Sequence, residues 1–274
     1  MATTIARFRE EIMTYSTMTY DVRDGVAHLR FTQHDRANAV SPAFSADLRA
    51  AMIAITFDPA VKAVSVTAEG KVFCAGGDLK LFHEAGEALP SVAAAMLVDF
   101  HAAIYAMNTI PKPFVAGVRG AAGGAGLSLM SAFDLVVSGE SAKYTMAYTR
   151  AGVTPDGTSS YFLARHIGLR RMLDLTLTNR VLSAAEAEAW GLVNRVVPDD
   201  DVDTATAALA QQLADGATLA TGLAKRVVYQ GYELGLADAG ELEARTITQV
   251  MGGHDAREGI AAFVEKRAPA FRGE

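Results

Sequence analysis

Apolar and polar residues alternate from Tyr20 to Phe31 on either side of Asp24-Gly25, a dipeptide that tolerates positive φ, and the pattern predicts an opening β-hairpin. Ser41 followed by Pro42 reads as an N-cap and first helical residue, launching a helix to about Ile55 with Phe44, Leu48, Met52 and Ile55 on its apolar face. The β-branched run Val61 to Thr67 predicts a strand that opens into KVFCAGGDL, residues 71–79. Helical spacing resumes from about Ser91 to Ile110 and stops at Pro111 and Pro113, since proline lacks the donor a helix interior needs. Phe114 to Val118 is the next strand. It enters RGAAGGAGLSL, residues 119–129, where a helix begins inside the glycines, followed by the strand Leu135 to Ser138.

Ser183 and Glu186 have capping-box spacing; their helix ends at Gly191, before a strand over Leu192 to Val197. From Asp201 to Glu274 no strand pattern recurs, and helices are predicted with breaks near 215–217 and 252–255. Strands alternating with helices predict an α/β core over residues 18–198, then a helical C-terminal region over 199–274. Residues 1–17 form an N-terminal extension. Ile5, Phe8 and Ile12 have helical spacing there, but the segment reads as a flexible tail. No internal sequence repeat is visible.

With 274 residues, half of them hydrophobic, the chain can bury one large core without metal or disulfide. Its single cysteine, Cys74, has no partner within the chain, and no ligand cluster with metal spacing occurs; a reducing, cytoplasmic setting is expected. No uninterrupted apolar run approaches the roughly 18 residues that span a bilayer, so no membrane partner is expected. A net charge of −6 gives no global drive toward nucleic acid. A polyanionic ligand needs local cations, for which Arg36, Lys71, Lys266 and Arg267 are candidates.

Each glycine loop follows a strand and precedes a helix, where free N–H groups and the helix dipole favour negative charge. Two such loops converging on one oxygen would make an oxyanion hole. Taken singly, each is equally readable as a tight strand-to-helix turn. A dinucleotide site is disfavoured, because the fingerprint G-x-G-x-x-G fails: Leu129 stands where the third glycine belongs after Gly124 and Gly126.

The segments FCAGGDL (73–79), GAAGGAGLSL (120–129), DLVVSGE (134–140) and GVTPDG (152–157), continued by LSAAEAEAWGLVNRVVP (182–198) and EGIAAFVEKRAPAF (258–271), resemble the crotonase superfamily, also called the enoyl-CoA hydratase/isomerase family. The resemblance runs over residues 18–274. It implies a β-β-α spiral core with a C-terminal helical region, a homotrimer or homohexamer, and an acyl-CoA thioester as substrate with no further cofactor. It places the oxyanion N–H groups on Gly77 and Ala125, supported by Gly76 and Gly124. Coenzyme A is implied at Arg36, Ala37, Ala39, Ala75 and Asp78, with Phe263 and Lys266 from a neighbouring subunit.

The two glutamates of family hydratases fall on Ser128 and Tyr148, neither a carboxylate, and these groups add water poorly near neutral pH. Asp156, in Val153-Thr154-Pro155-Asp156-Gly157, matches the aspartate of family double-bond isomerases. Pro-Asp-Gly is also an ordinary turn. The resulting expectation is an enoyl-CoA isomerase with Asp156 as acid and base. Enoyl-CoA hydration and a non-catalytic acyl-CoA-binding protein are the alternatives. Ser128, Tyr148, Tyr144 and His83 are candidate pocket residues. His101 lies on a helix that could border the acyl pocket but reads first as packing or surface, Cys74 as a small buried hydrophobe, and Asp78 also as a helix cap.

Overall fold

The computed structural model describes residues 15–274, so the predicted N-terminal extension lies, up to residue 14, outside the described residues. Nine strands occur among the described residues: β1 (Met18–Arg23), β2 (Val26–Phe31), β3 (Ala63–Ala68), β4 (Phe114–Val118), β5 (Ala121–Gly123), β6 (Leu135–Gly139), β7 (Lys143–Thr145), β8 (Leu182–Ser183) and β9 (Arg195–Val197). Six make a sheet ordered β1-β2-β3-β4-β6-β9, antiparallel only at the β1–β2 hairpin. Asp24 and Gly25 turn that hairpin with φ of 49° and 82°, as a two-residue type I′ loop requires. β3 and β4 are buried at every position, which explains why they read as continuous apolar runs.

The helices are α1 (Pro42–Phe57), α2 (Leu79–Ala85), α3 (Leu89–Thr109), α4 (Ala125–Ser131), α5 (Ser159–Ile167), α6 (Leu169–Thr178), α7 (Ala184–Ala189), α8 (Val202–Ala214), α9 (Thr218–Gly231), α10 (Leu236–Met251) and α11 (His254–Glu265). Ser41 caps α1 by accepting from the Phe44 N–H at 3.2 Å, and Phe44, Leu48, Met52 and Ile55 are buried as their spacing predicts. The Ser183–Glu186 capping box is present in full.

β5, β7 and β8 form a second, smaller sheet. Single bridges Cys74–Ala122 and Val40–Gly77 continue this row sideways. The chain therefore winds as a spiral. From β2, β3, β4 and β6 it passes through a short extended piece in the second row and then into a helix.

Three sequence expectations change. The strand placed at Leu192–Val197 shrinks to Arg195–Val197, because the Leu192 and Val193 N–H groups fold back onto the Ala187 carbonyl. The boundary at residue 198 is not structural: Val202, Leu209, Ala210 and Ala214 of α8 are buried, and the last three pack against Val26, Ala63, Val115 and Val137, so α8 belongs to the core. The helical stretch Leu79–Thr109 holds an 18-residue window of mean hydropathy 1.4, long and apolar enough by composition to cross a membrane. Scattered polar residues divide the window, so it contains no uninterrupted apolar run of that length. In this fold its Met96, Phe100, Ile104 and Met107 are buried and its Asp99 pairs with Arg49 of α1.

The C-terminal helices are tied to the core by Lys225 of α9, 6% exposed, whose Nζ lies 2.8 Å from Asp134 Oδ2 and donates to the Met107 and Lys112 carbonyls. Burial raises the Asp134 pKa and lowers that of Lys225, each opposed by the other's charge. Beyond α11 the last residues fold back as a strap. Arg272 and Gly273 N–H groups donate to Asp255, and Ala270 N–H to Glu258, which also pairs with Arg267. The Arg267 hydrogen bond, with the Ala270 N–H, lowers the Glu258 pKa from 4.5 to about 2.

Replacing Lys225 with Met leaves the Asp134 carboxylate buried without its cation, and urea denaturation is expected to show a loss of about 3–5 kcal/mol. Unchanged stability would show that the pair anchors nothing. For the strap the sign follows from a depressed carboxylate: its contribution is complete above the ordinary glutamate value of 4.5 and fades as pH falls toward about 2. Hydrogen-exchange protection at Ala270 should fall across that window and, at neutral pH, in Glu258→Gln.

Candidate active site

The first glycine loop is laid against the segment after β2. Ala75 N–H donates to the Ala37 carbonyl at 3.0 Å, Val40 N–H to Gly76 at 2.7 Å, and Asp78 N–H to Val40 at 3.0 Å. Gly76 has φ of +112°, a region open to glycine, and a Cβ there would meet the Gly123 carbonyl oxygen at 2.9 Å and the Ala125 nitrogen at 3.5 Å. The loop thus presses on the start of α4. Asp78 caps α2 by accepting from Leu81 N–H at 3.1 Å, while its other oxygen lies 2.6 Å from Arg36. The helix cap read for Asp78 in the sequence is thus present, and its contact with Arg36 fixes the loop.

In the second loop, Gly124 N–H donates to Thr145 at 2.9 Å, and its carbonyl accepts from the Ser128 N–H at 3.0 Å. Gly126 allows the first turn of α4 to lie on the first loop, since a Cβ would stand 2.2 Å from the Cys74 carbonyl oxygen. Among the described residues, no backbone carbonyl accepts the Gly77 or Ala125 N–H. Two neighbouring donors without backbone acceptors, one from each loop, are what stabilisation of an oxyanion requires.

Asp156 sits where the loop after β7 crosses α3 and α4. Its side chain is 31% exposed, and Oδ1 lies 3.0 Å from His101 Nε2 of α3. Phe100 and Tyr105 flank that imidazole, with ring centroids 6.5 and 6.0 Å away. The neighbouring Gly157 packs tightly between Phe100 and Ser128. Ser128 is fully buried; its Oγ donates to Gly124 O at 3.2 Å and shares a 2.8 Å hydrogen bond with Tyr148 Oη, which reaches Asp156 O at 3.2 Å. Burial drives the Tyr148 phenol well above its ordinary pKa.

Gly76, Gly77, Gly124, Ala125, Ser128, Tyr148 and Asp156 are thus brought together, joined by His101. The sequence places His101 on a helix that could border the acyl pocket but favours packing or surface for it. Its signal was a polar residue flanking the buried Phe100–Ile104 face of α3, and its partner lies 55 residues away. One pocket candidate is corrected. Tyr144 is fully buried, with its hydroxyl donating to Ser138 Oγ at 2.6 Å, because it points from β7 into the core. His83 is exposed near the end of α2. Ser128 has both neighbours in hand and presents no free hydroxyl. Burial pushes the Cys74 thiol up to about 12, leaving a poor nucleophile. Arg36, Ala37 and Ala39 lie on the segment against which the first loop packs, where the Ala75 N–H meets the Ala37 carbonyl. Phe263 and Lys266 stand exposed at the end of α11. Among the described residues, no group of three or more His, Cys, Asp or Glu could hold a metal ion.

The profile of the family Enoyl-CoA hydratase/isomerase matches residues 21–274. A protein named "Probable enoyl-CoA hydratase" from Rhodobacter capsulatus is 33% identical over 261 residues, covering 95% of this chain and 100% of its own. The 4-chlorobenzoyl coenzyme A dehalogenase-2 of an Arthrobacter species is 34% identical over 251 residues, covering 89% and 88%. The crystal structure of an enoyl-CoA hydratase from Polaromonas sp. JS666 superimposes with a TM-score of 0.89 at 31% identity, covering 93% and 99%.

Ala125 opens α4, a position where proline is tolerated, so Ala125→Pro deletes one donor while respecting the helix. Turnover of an acyl-CoA substrate is expected to fall by about 100-fold or more with the circular-dichroism spectrum intact. A folded variant with near-normal turnover would remove Ala125 from the site.

Proposed function

For a chain that belongs to the enoyl-CoA hydratase/isomerase family, we propose that the reaction is a double-bond shift along an acyl-CoA, with Asp156 as the proton shuttle. The observation that carries this reading is the inventory of acids. Asp156 is the one carboxylate bonded into the described cluster, while the hydratase positions hold a serine and a tyrosine already bonded to each other. Isomerisation through a dienolate runs with a single base. Water addition calls for one group to activate water and another to protonate carbon.

In the proposed reaction the thioester oxygen lies between the Gly77 and Ala125 N–H groups. The Asp156 carboxylate removes a proton beside the alkene, negative charge moves onto that oxygen, and the carboxylic acid returns the proton further along the chain. His101 holds Oδ1 and so fixes which carboxylate oxygen faces the substrate. Coenzyme A follows the backbone of Arg36 to Ala39 and the first glycine loop, with Phe263 and Lys266 supplied by a second copy in a trimer or hexamer, and no other cofactor takes part.

The Asp156–His101 contact favours one further reading, in keeping with the name of the Arthrobacter relative. A carboxylate beside an imidazole can attack a halogen-bearing ring carbon of an aroyl-CoA and expel halide. Imidazole then activates the water that hydrolyses the resulting aryl ester.

Asp156→Asn removes the base and keeps the turn. Isomerisation of 3-enoyl-CoA should drop by about 100-fold to 10,000-fold with little change in affinity. Conversion of 2-enoyl-CoA to a 3-hydroxyacyl product that survives Asp156→Asn would overturn the isomerase assignment in favour of hydration. Halide release from 4-chlorobenzoyl-CoA, lost in both Asp156→Asn and His101→Ala, would favour the nucleophilic reading.

A further inference from the structure

The hydroxyls of Ser128 and Tyr148 make three contacts with only two protons between them. The contacts run from Gly124 O to Ser128 Oγ (3.2 Å), from Ser128 Oγ to Tyr148 Oη (2.8 Å) and from Tyr148 Oη to Asp156 O (3.2 Å). Two oxygens at 2.8 Å need a proton between them. That leaves one proton for two carbonyls. Either Tyr148 donates to Ser128 and Ser128 to Gly124 O, or Ser128 donates to Tyr148 and Tyr148 to Asp156 O. The two carbonyls are not equally provided for otherwise. Asp156 O also accepts from Ser159 Oγ at 3.0 Å, whereas Gly124 O has only the Ser128 N–H besides this hydroxyl.

The Gly124 carbonyl and the Ala125 N–H belong to one peptide group. A hydrogen bond to that carbonyl polarises the whole group and makes its N–H a stronger donor. We infer that the Ser128–Tyr148 pair is a two-state positioning device that tunes the Ala125 oxyanion donor on one side and the Asp156 loop on the other. Negative charge developing beside Ala125 favours the arrangement in which Ser128 donates to Gly124 O. The pair is sealed from water at Ser128, so no solvent proton blurs the choice. Neither residue touches substrate in this account. Its significance for turnover rests on the proposed oxyanion role of Ala125, but the hydrogen-bond exchange itself does not.

The two single substitutions should therefore act with opposite sign. Ser128→Ala removes the hydroxyl donor to Gly124 O. Tyr148→Phe removes the competing acceptor and leaves Ser128 donating to Gly124 O alone. In the unliganded protein, NMR of the Gly124 carbonyl carbon and Ala125 amide nitrogen should show upfield shifts for Ser128→Ala and downfield shifts for Tyr148→Phe. The Gly157 amide nitrogen should move upfield in Tyr148→Phe, which has lost a donor to Asp156 O. Shifts of the same sign in both variants, or none, overturn the inference, since mere packing disturbance has no reason to reverse sign. With 3-enoyl-CoA, kcat of Ser128→Ala should fall about fivefold at unchanged KM, the rate equivalent of one neutral hydrogen bond. Opposed NMR shifts with activity insensitive to Asp156→Asn would keep the device and discard the proton shuttle. Uniform shifts with activity lost in Asp156→Asn would do the reverse.

Discussion

The approach of α4 to the Cys74 carbonyl sets the geometry of the whole site. At Gly126 the backbone of one spiral turn lies where a Cβ would be 2.2 Å from the carbonyl oxygen of the preceding turn. Any larger residue forces the turns apart. With them pressed together, the Gly76–Gly77 segment meets the start of α4, and two N–H groups from segments about fifty residues apart in sequence come to neighbouring positions. The flanking backbone is committed elsewhere, to the Ala37–Val40 segment on one side and to Thr145 on the other. Rigid placement of donors before the substrate arrives is what makes a backbone oxyanion hole effective.

That arrangement leaves the side chains free to differ among relatives that share it. Here the Ser128–Tyr148 pair, buried at Ser128, is neutral, and the Asp156–His101 contact lies on the edge between α3 and the Asp156 loop. The Arg36–Asp78 ion pair lies at the first glycine loop, while α4 carries no charged side chain. A fold that fixes carbonyl polarisation by backbone can change its proton chemistry through a few side chains, which accounts for relatives of similar identity bearing hydratase and dehalogenase names.

Much of this was legible in the sequence because it rests on local rules. The hairpin at Asp24-Gly25, the Ser41-Pro42 helix start, the Ser183–Glu186 capping box and the glycine loops each declare themselves through conformational demands of a few neighbouring residues. β5, β7 and β8 were not legible, since two or three residues cannot show a period of two. The spiral repeat was hidden for a related reason: its turns share backbone geometry without sharing side chains. Tyr144 and Tyr148 are both pocket candidates by sequence, yet β7 directs one into the core and the turn after it brings the other to Ser128. The His101–Asp156 contact joins a helix to a loop across the fold, and no local pattern encodes such a pairing.

In the proposed reaction the Gly77 and Ala125 N–H groups hold the thioester oxygen while Asp156 faces the acyl carbons. A crystal structure with a bound, unreactive saturated acyl-CoA should place the thioester oxygen within about 3.1 Å of both nitrogens, with the acyl carbons next to the carbonyl turned toward the Asp156 carboxylate. A thioester oxygen bonded to neither N–H, or an acyl chain directed away from Asp156, would contradict it.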